Sequence, residues 1–258
     1  MRRVKPKKYL GQHFLNDRRI AARIVEALPL PPYQVLEVGP GMGVLTQFLC
    51  QLKDIDLSLV ELDDESVAFL HQTYPELQEK IISADFLKLN LSERFFGEFS
   101  IIGNFPYNIS SQILFKVLEN KTQIKYVTGM VQREVGRRIT AGPGGREYGI
   151  LSVLMQAWYH AEYLFTVDES VFSPPPKVKS AVVRFSRNHV STLGCDESLF
   201  VKVVKAAFNQ RRKTLRNSLK AFGLSDKIIA DDNIFRKRPE QLGVEEFVKL
   251  TNIIERSM

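Results

Sequence analysis

Within "DRRIAARIVEAL" (17 to 28), apolar Ile20, Ile24, Val25 and Leu28 fall on one face of a helix behind Asp17 as its cap. The proline-rich "PLPP" that follows ends that helix. Short apolar runs then alternate with amphipathic stretches. Strands are predicted over 34–39 (QVLEVG), 56–62 (DLSLVEL), 80–85 (KIISAD), 99–104 (FSIIGN) and 125–132 (KYVTGMVQ), with helices over 45–52, 65–73 and 110–120. Strands and helices alternating at this interval predict a parallel, doubly wound α/β sheet.

Past residue 132 the rhythm changes. The glycine-rich "TAGPGGREYG" (140–149) reads as a mobile loop, and "ILSVLMQAWY" as a helix. "AEYLFTVD" (161–168) and "SAVVRFSR" (180–187) are expected to close the sheet as an antiparallel pair, flanking "FSPPPKVK". From about residue 190 the pattern is helical to the end. The expected division is therefore a first domain over 1–190 and a helical second domain over 191–258.

Composition narrows the partners. At 44% hydrophobic and 25% charged residues the chain is ordinary for a soluble globular protein, and no apolar run reaches the roughly 18 residues of a bilayer crossing. The basic N-terminus lacks the apolar stretch of a secretory signal, so a cytoplasmic location is expected. Cys50 and Cys195 stand outside any CxxC, and His13, His71, His160 and His189 show no paired spacing. Neither a disulfide framework nor a metal site is expected. Lys and Arg outnumber Asp and Glu by 36 to 29, a net charge of +7, which favours a polyanionic partner. The excess is concentrated in Arg2, Arg3, Lys5, Lys7 and Lys8, and in "KVVKAAFNQRRKTLRNSLK" (202–220), which holds no acidic residue.

The turn "EVGPGMGVLT" (37–46) joins the first strand to the next helix, where α/β sheets bind nucleotide-type ligands. Gly39, Gly41 and Gly43 are spaced GxGxG, and Val44 stands where a dinucleotide fingerprint needs its third glycine. An adenosine ligand without phosphates fits better than NAD. Glu61, ending the second strand, can accept from ribose hydroxyls, and Asp85, ending the third, from an adenine amino group. Two carboxylates with no Lys or Arg in their motifs suit a cationic ligand. S-adenosylmethionine, a sulfonium, has that character.

"NFPY" (104–107) closes the fourth strand. An exocyclic amino nitrogen such as N6 of adenine is a poor nucleophile because its lone pair is delocalised into the ring. Two acceptors on its N–H groups turn that lone pair outward. The Asn104 side-chain carbonyl and the Phe105 main-chain carbonyl can serve, with Pro106 fixing the chain direction and Tyr107 offering a flat face for the base. In "VFSPPPKV" (171–178), Phe172 is a candidate second stacking face and Lys177 a candidate phosphate contact.

These motifs, with "LGQHFLND" (10–17), "ADF" (84–86), "MVQREVGRRI" (130–139), "YGILSVLMQ" (148–156), "FSPPPKVKSAV" and "AFNQRRKTLRNSL" (207–219), resemble the small-subunit ribosomal RNA adenine N6,N6-dimethyltransferases (the KsgA/Dim1 family) over nearly the whole chain. Phe105 departs from the Leu commonest in that family. The resemblance implies a Rossmann-like class I methyltransferase domain with a seven-stranded, mostly parallel sheet, plus a small all-helical C-terminal domain. It implies S-adenosylmethionine as methyl donor and two adjacent adenosines of the terminal hairpin loop of small-subunit ribosomal RNA as target, each methylated twice. By the family's motifs His13 and Leu15 line the cofactor site with Gly39, Gly41, Glu61, Asp85 and Asn104. Asn104 and Tyr107 act on the base, and a basic helix with Arg211, Arg212, Lys213 and Arg216 holds phosphates. A large-subunit, resistance-type methyltransferase and a non-catalytic RNA-binding assembly factor are the alternatives.

Overall fold

The computed structural model describes residues 4–257, so Arg2 and Arg3 of the basic N-terminus lie outside it. A two-residue strand β1 (Phe14–Leu15) and helix α1 (Arg18–Glu26) lead into β2 (Gln34–Val38), α2 (Thr46–Leu49), β3 (Asp56–Glu61), α3 (Asp64–Thr73), β4 (Ile81–Ser83), β5 (Phe99–Asn104), α4 (Ser110–Glu119) and β6 (Ile124–Gln132). Helices α5 (Arg133–Thr140) and α6 (Ile150–Trp158) follow, then β7 (Tyr159–Val167), β8 (Phe172–Ser173) and β9 (Ser180–Arg187). The chain continues through α7 (Glu197–Asn209), α8 (Leu215–Ser218), α9 (Asp226–Asp231) and α10 (Val244–Glu255).

Seven strands form one sheet in the order β4-β3-β2-β5-β6-β9-β7. The first five are mutually parallel, and β9 runs antiparallel to β6. Its centre is apolar because both faces are covered: β5 is buried from Phe99 to Gly103, and Leu36, Ile101 and Val127 are fully inaccessible. α1 forms as its periodicity predicts. The Asp17 carboxylate accepts from the backbone N–H groups of Arg19 and Ile20, and Ala21, Ile24 and Val25 are buried. These side chains join Leu45, Leu49, Leu57 and Leu59 in one core cluster.

Three elements differ from expectation. The strand predicted over 80–85 stops at Ser83, because the Asp85 carboxylate turns back to cap the 3-10 turn Phe86–Lys88 by accepting from Leu87 N–H at 3.0 Å. α2 keeps only four residues of the predicted 45–52. α5 falls where no element is expected; four of its eight residues are charged, which masks the apolar spacing of Val135 and the buried Ile139.

By packing, the chain forms two compact units. One runs to Gly136 and adds Ala161–Arg187; the other joins Arg137–His160 to the chain from Asn188 onward. The expected division assigned 137–160 to the first domain. Those residues instead share an aromatic core with the C-terminal helices: Trp158 meets Phe200 edge-on at 6.0 Å, Tyr148 meets Phe208 at 6.2 Å, and Phe208 stacks on Phe247 at 5.9 Å. Two hydrogen bonds tie the glycine-rich loop within this second unit. Gly144 N–H donates to the Glu240 carbonyl, and the Arg211 guanidinium to that of Gly145.

Candidate active site

Because β2, β3, β4 and β5 are parallel, their C-terminal ends meet along one edge of the sheet, where the chain leaves it in four turns. After β2, Gly39 and Gly41 take φ of +70° and +57°, which side chains resist. A Cβ at Gly41 would also lie 2.9 Å from the Phe14 ring. The turn is tied to the next strand end: Gly41 N–H donates to Glu61 Oε2 at 2.9 Å, while Glu61 Oε1 accepts from Leu62 and Asp63 N–H at 2.8 and 2.9 Å. Burial holds the Glu61 carboxyl above its usual range against the three N–H groups that pull it down.

A cavity of about 280 Å³ opens at this edge. Its lining includes Gly39, Gly41, Glu61, Asp85, Asn104, Phe105, Pro106 and Tyr107, with His13 from the N-terminal arm. The residues singled out from strand ends and turns thus converge with one from a segment distant in sequence. Among the described residues no Lys or Arg lines the cavity, whereas two carboxylates do. Lys88 does approach Asp85, at 3.7 Å, from a position almost wholly in solvent. Apolar Val38, Val60, Phe86 and Leu87 complete the wall. This donor set fits S-adenosylmethionine: hydroxyl acceptors, apolar cover for a purine and no cation to repel a sulfonium.

The arm is strapped across the cavity. Lys7 Nζ is paired with the buried Asp63 carboxylate and lies 3.4 Å from Glu65; Gln12 Nε2 also donates to Asp63, at 3.4 Å, and Lys7 N–H to Gln12 Oε1 at 2.8 Å. At its far end the arm meets "NFPY". Asn104 Nδ2 donates to the His13 carbonyl at 2.9 Å, and the His13 ring stacks on Tyr107 with centroids 5.4 Å apart and planes 30° from parallel. The Tyr107 hydroxyl is hydrogen-bonded to Ser180 Oγ.

The two aromatics of "NFPY" have different tasks. The Phe105 ring lies within the sheet, 1% exposed, over Gly103 and Gly129, and its N–H donates to the Met130 carbonyl at 3.1 Å. Tyr107 is the ring that faces the ligand space. Two other expected site residues are not among those lining the cavity. Leu15 and Phe172 sit opposite each other in the β1–β8 pair, 3% exposed each, and belong to the hydrophobic core rather than the cavity wall. The β1 pairing covers the Phe172 ring in this structure.

Nor is the basic segment one helix. α7 ends at Asn209, so Arg211, Arg212 and Lys213 occupy the turn before α8. Arg212 and Lys213 are exposed, while Arg216 pairs with Asp226 at 3.2 Å. Lys177 is exposed on the proline loop of the first unit.

Sequence reasoning missed Asp63, Asn108 and Glu37. Asp63 precedes two acids in "ELDDES" and reads as a helix cap; its use as an anchor depends on a distant lysine. A Cβ at Gly11 would meet the Asn108 amide, which places Asn108 under the arm. Glu37 offered a local signal, an acid inside the apolar run of "QVLEVG". It is 1% exposed, accepts from Thr46 Oγ1 at 2.7 Å, and burial pushes its pKa up to about 8.

The ribosomal RNA adenine dimethylase family matches residues 3–254. The chain is 60% identical, over all of its length and 97% of the other's, to a ribosomal RNA small subunit methyltransferase A of Bacteroides thetaiotaomicron. Its fold is similar to that of a dimethyladenosine transferase from Plasmodium falciparum, with TM-score 0.80 and 22% identity over 95% of this chain and 98% of that one. It is also similar to the 23S rRNA methyltransferase ErmE, with TM-score 0.68 and 26% identity over 94% and 99%. A glycine turn locked by Glu61, a cation-free cavity and an "NFPY" strand end thus have a common origin: the chain belongs to the ribosomal RNA adenine dimethylase family of S-adenosylmethionine-dependent methyltransferases.

Proposed function

We propose that the chain transfers methyl groups from S-adenosylmethionine to N6 of two adjacent adenosines in the 3′-terminal hairpin loop of small-subunit (16S-type) ribosomal RNA, giving N6,N6-dimethyladenosine. The Asn104 amide carries this reading. Its Nδ2 is committed to the His13 carbonyl, so Oδ1 is the end left to accept from an amino group.

S-adenosylmethionine supplies the methyl group as an electrophile on a positively charged sulfur. The chain does the rest by position. Asn104 Oδ1 and the Phe105 carbonyl accept the N6 hydrogens and turn the nitrogen lone pair outward, Pro106 sets the direction of that carbonyl, and Tyr107 supports the ring. The proton of N6 becomes acidic as the new C–N bond forms and passes to solvent, so no side chain need act as a general base. Glu61 and Asp85 hold the ribose and adenine of the donor, and among the described residues no arginine or lysine lines the cavity to oppose its charge.

The target adenines reach this pocket by leaving their loop, which costs least in unpaired RNA. Lys177, Arg211, Arg212, Lys213 and Arg216 neutralise phosphates and set register rather than sequence. The protein acts as a monomer in the cytoplasm, on the assembling small subunit, and takes part in its biogenesis. Likeness to ErmE supports a second reading, a large-subunit target with the same chemistry. The 60% full-length identity to a small-subunit enzyme favours the first.

The test is incubation with isotopically labelled S-adenosylmethionine and undermethylated small or large subunits, followed by digestion and identification of the labelled nucleoside. Label in N6,N6-dimethyladenosine from small subunits is expected; label from large subunits alone would move the assignment to the second reading.

A further inference from the structure

Beside Asp85 the cavity wall is the short 3-10 turn Phe86–Lys88, which begins only after β4 has ended at Ser83. What holds that turn comes from α4. The Leu87 peptide is tied on both sides: its N–H donates to Asp85 Oδ1 at 3.0 Å, and its carbonyl accepts from Lys116 Nζ at 2.9 Å. The same ammonium lies 5.9 Å from the centre of the Phe86 ring. Phe86 and Leu87 line the cavity, whereas Lys116 stands behind them and does not.

A lysine on a helix surface ordinarily carries its ammonium out to water. Lys116 instead spends it on a backbone carbonyl and an aromatic face, from a helix fixed by the buried Ile113, Leu114, Val117 and Leu118. The consequence reaches Asp85. One lobe of its carboxylate is committed to Leu87 N–H, so the direction of the other, Oδ2, follows the Leu87 peptide. Lys88 Nζ lies 3.7 Å from Oδ2 but is 85% exposed, and a solvated pair of that kind orients little. Resting on the reading of Asp85 as the acceptor for the donor's adenine, we infer that Lys116 is a positioning residue for cofactor recognition. It holds the Leu87 peptide and the Phe86 ring so that Asp85 presents its free lobe to the 6-amino group. A cation thus serves the adenine end of the site without entering the cavity, where it would oppose the sulfonium.

The experiment titrates the full chain and its Lys116→Met and Lys116→Arg variants by calorimetry with S-adenosylhomocysteine and with its inosine counterpart, in which a carbonyl replaces the 6-amino group. The wild type should favour the adenine ligand by about 10- to 100-fold, the range of a hydrogen bond to a charged group. In Lys116→Met that preference should fall about three- to ten-fold, the equivalent of one lost hydrogen bond. Lys116→Arg, which keeps a donor and a charge, should recover most of it. The ratio of two affinities is read on folded molecules alone, so a loss of stability does not move it. A preference that survives intact in Lys116→Met, even with both affinities lowered together, would overturn the inference, as would a loss in Lys116→Arg as large as in Lys116→Met. No preference in the wild type would remove the reading of Asp85 itself, and the inference with it.

Discussion

A methyl group added at Gly129 would lie 2.7 Å from Cζ of Phe105, so the aromatic of "NFPY" sits in a groove that only glycine leaves open. Gly103 on β5 makes the other wall, with a hypothetical Cβ 2.9 Å from the same ring. Placement of the adjoining Asn104 amide is therefore a packing problem. Gly129→Ala should displace Phe105 and cost about 1 to 3 kcal/mol of stability. Activity should fall further than stability explains, because Asn104 is the preceding residue. Denaturant titration together with turnover on undermethylated small subunits checks both; wild-type turnover would show that the strand end tolerates the shift.

Asn104→Ala removes the proposed acceptor and should lower kcat by about 10²- to 10³-fold with RNA affinity nearly intact. Asn104→Asp keeps an acceptor but cannot donate to the His13 carbonyl, so it should also fail. Single-turnover kinetics separates this from weaker binding.

Releasing the arm should loosen the cofactor. Asp63→Asn weakens the anchor for Lys7 and Gln12, and the affinity for S-adenosylmethionine should drop several-fold, measured by calorimetry. Desolvation pushes the Asp63 carboxyl up, but the hydrogen bonds from Lys7, Ser66 and Gln12 outweigh it and hold the pKa below the ordinary value of 3.8. The strap therefore stays charged at neutral pH and is lost only as pH falls through that lowered pKa. Cofactor affinity that is flat from pH 5 to 8 in the wild type is the expected result.

Glu37 predicts an opposite trend in stability. Its folded pKa of about 8 lies above the ordinary 4.5, with burial as the main cause, so the folded state retains a proton that the unfolded chain releases. Its contribution is fully present below about pH 4.5 and disappears as pH rises through about 8. The loss should be on the order of 5 kcal/mol. Glu37→Gln keeps an acceptor for Thr46 without the titration, and should flatten the Tm profile and raise Tm at pH 8.

In the basic turn, replacing Arg212 and Lys213 with Ala should lower the salt slope of RNA binding by roughly 0.7 for each phosphate no longer neutralised. An unaltered slope would assign that turn to plain surface.

The strands and the cavity-lining residues at their ends were legible because each is a local signal: an apolar run ending in Gly, Glu, Asp or Asn. Glycines at positive φ and a proline two residues past Asn104 announce turns without help from the rest of the fold. The Lys7–Asp63 strap and the inward turn of Phe172 were not legible, since each depends on a pairing between distant segments. Nothing local to the phenylalanine ahead of three prolines signals that β1 will pair beside it. α5 was hidden for a different reason, as its charged face drowned the apolar one.

The interleaving of the two packing units has a practical corollary for protein engineering. Cutting the chain at residue 190 would not release a self-sufficient catalytic half. It would strip Phe200, Phe208 and Phe247 from around Trp158 and Tyr148, turning buried aromatics into an adhesive surface. The helical tail is thus no detachable cassette, and a graft of it onto another scaffold must carry residues 137–160 along.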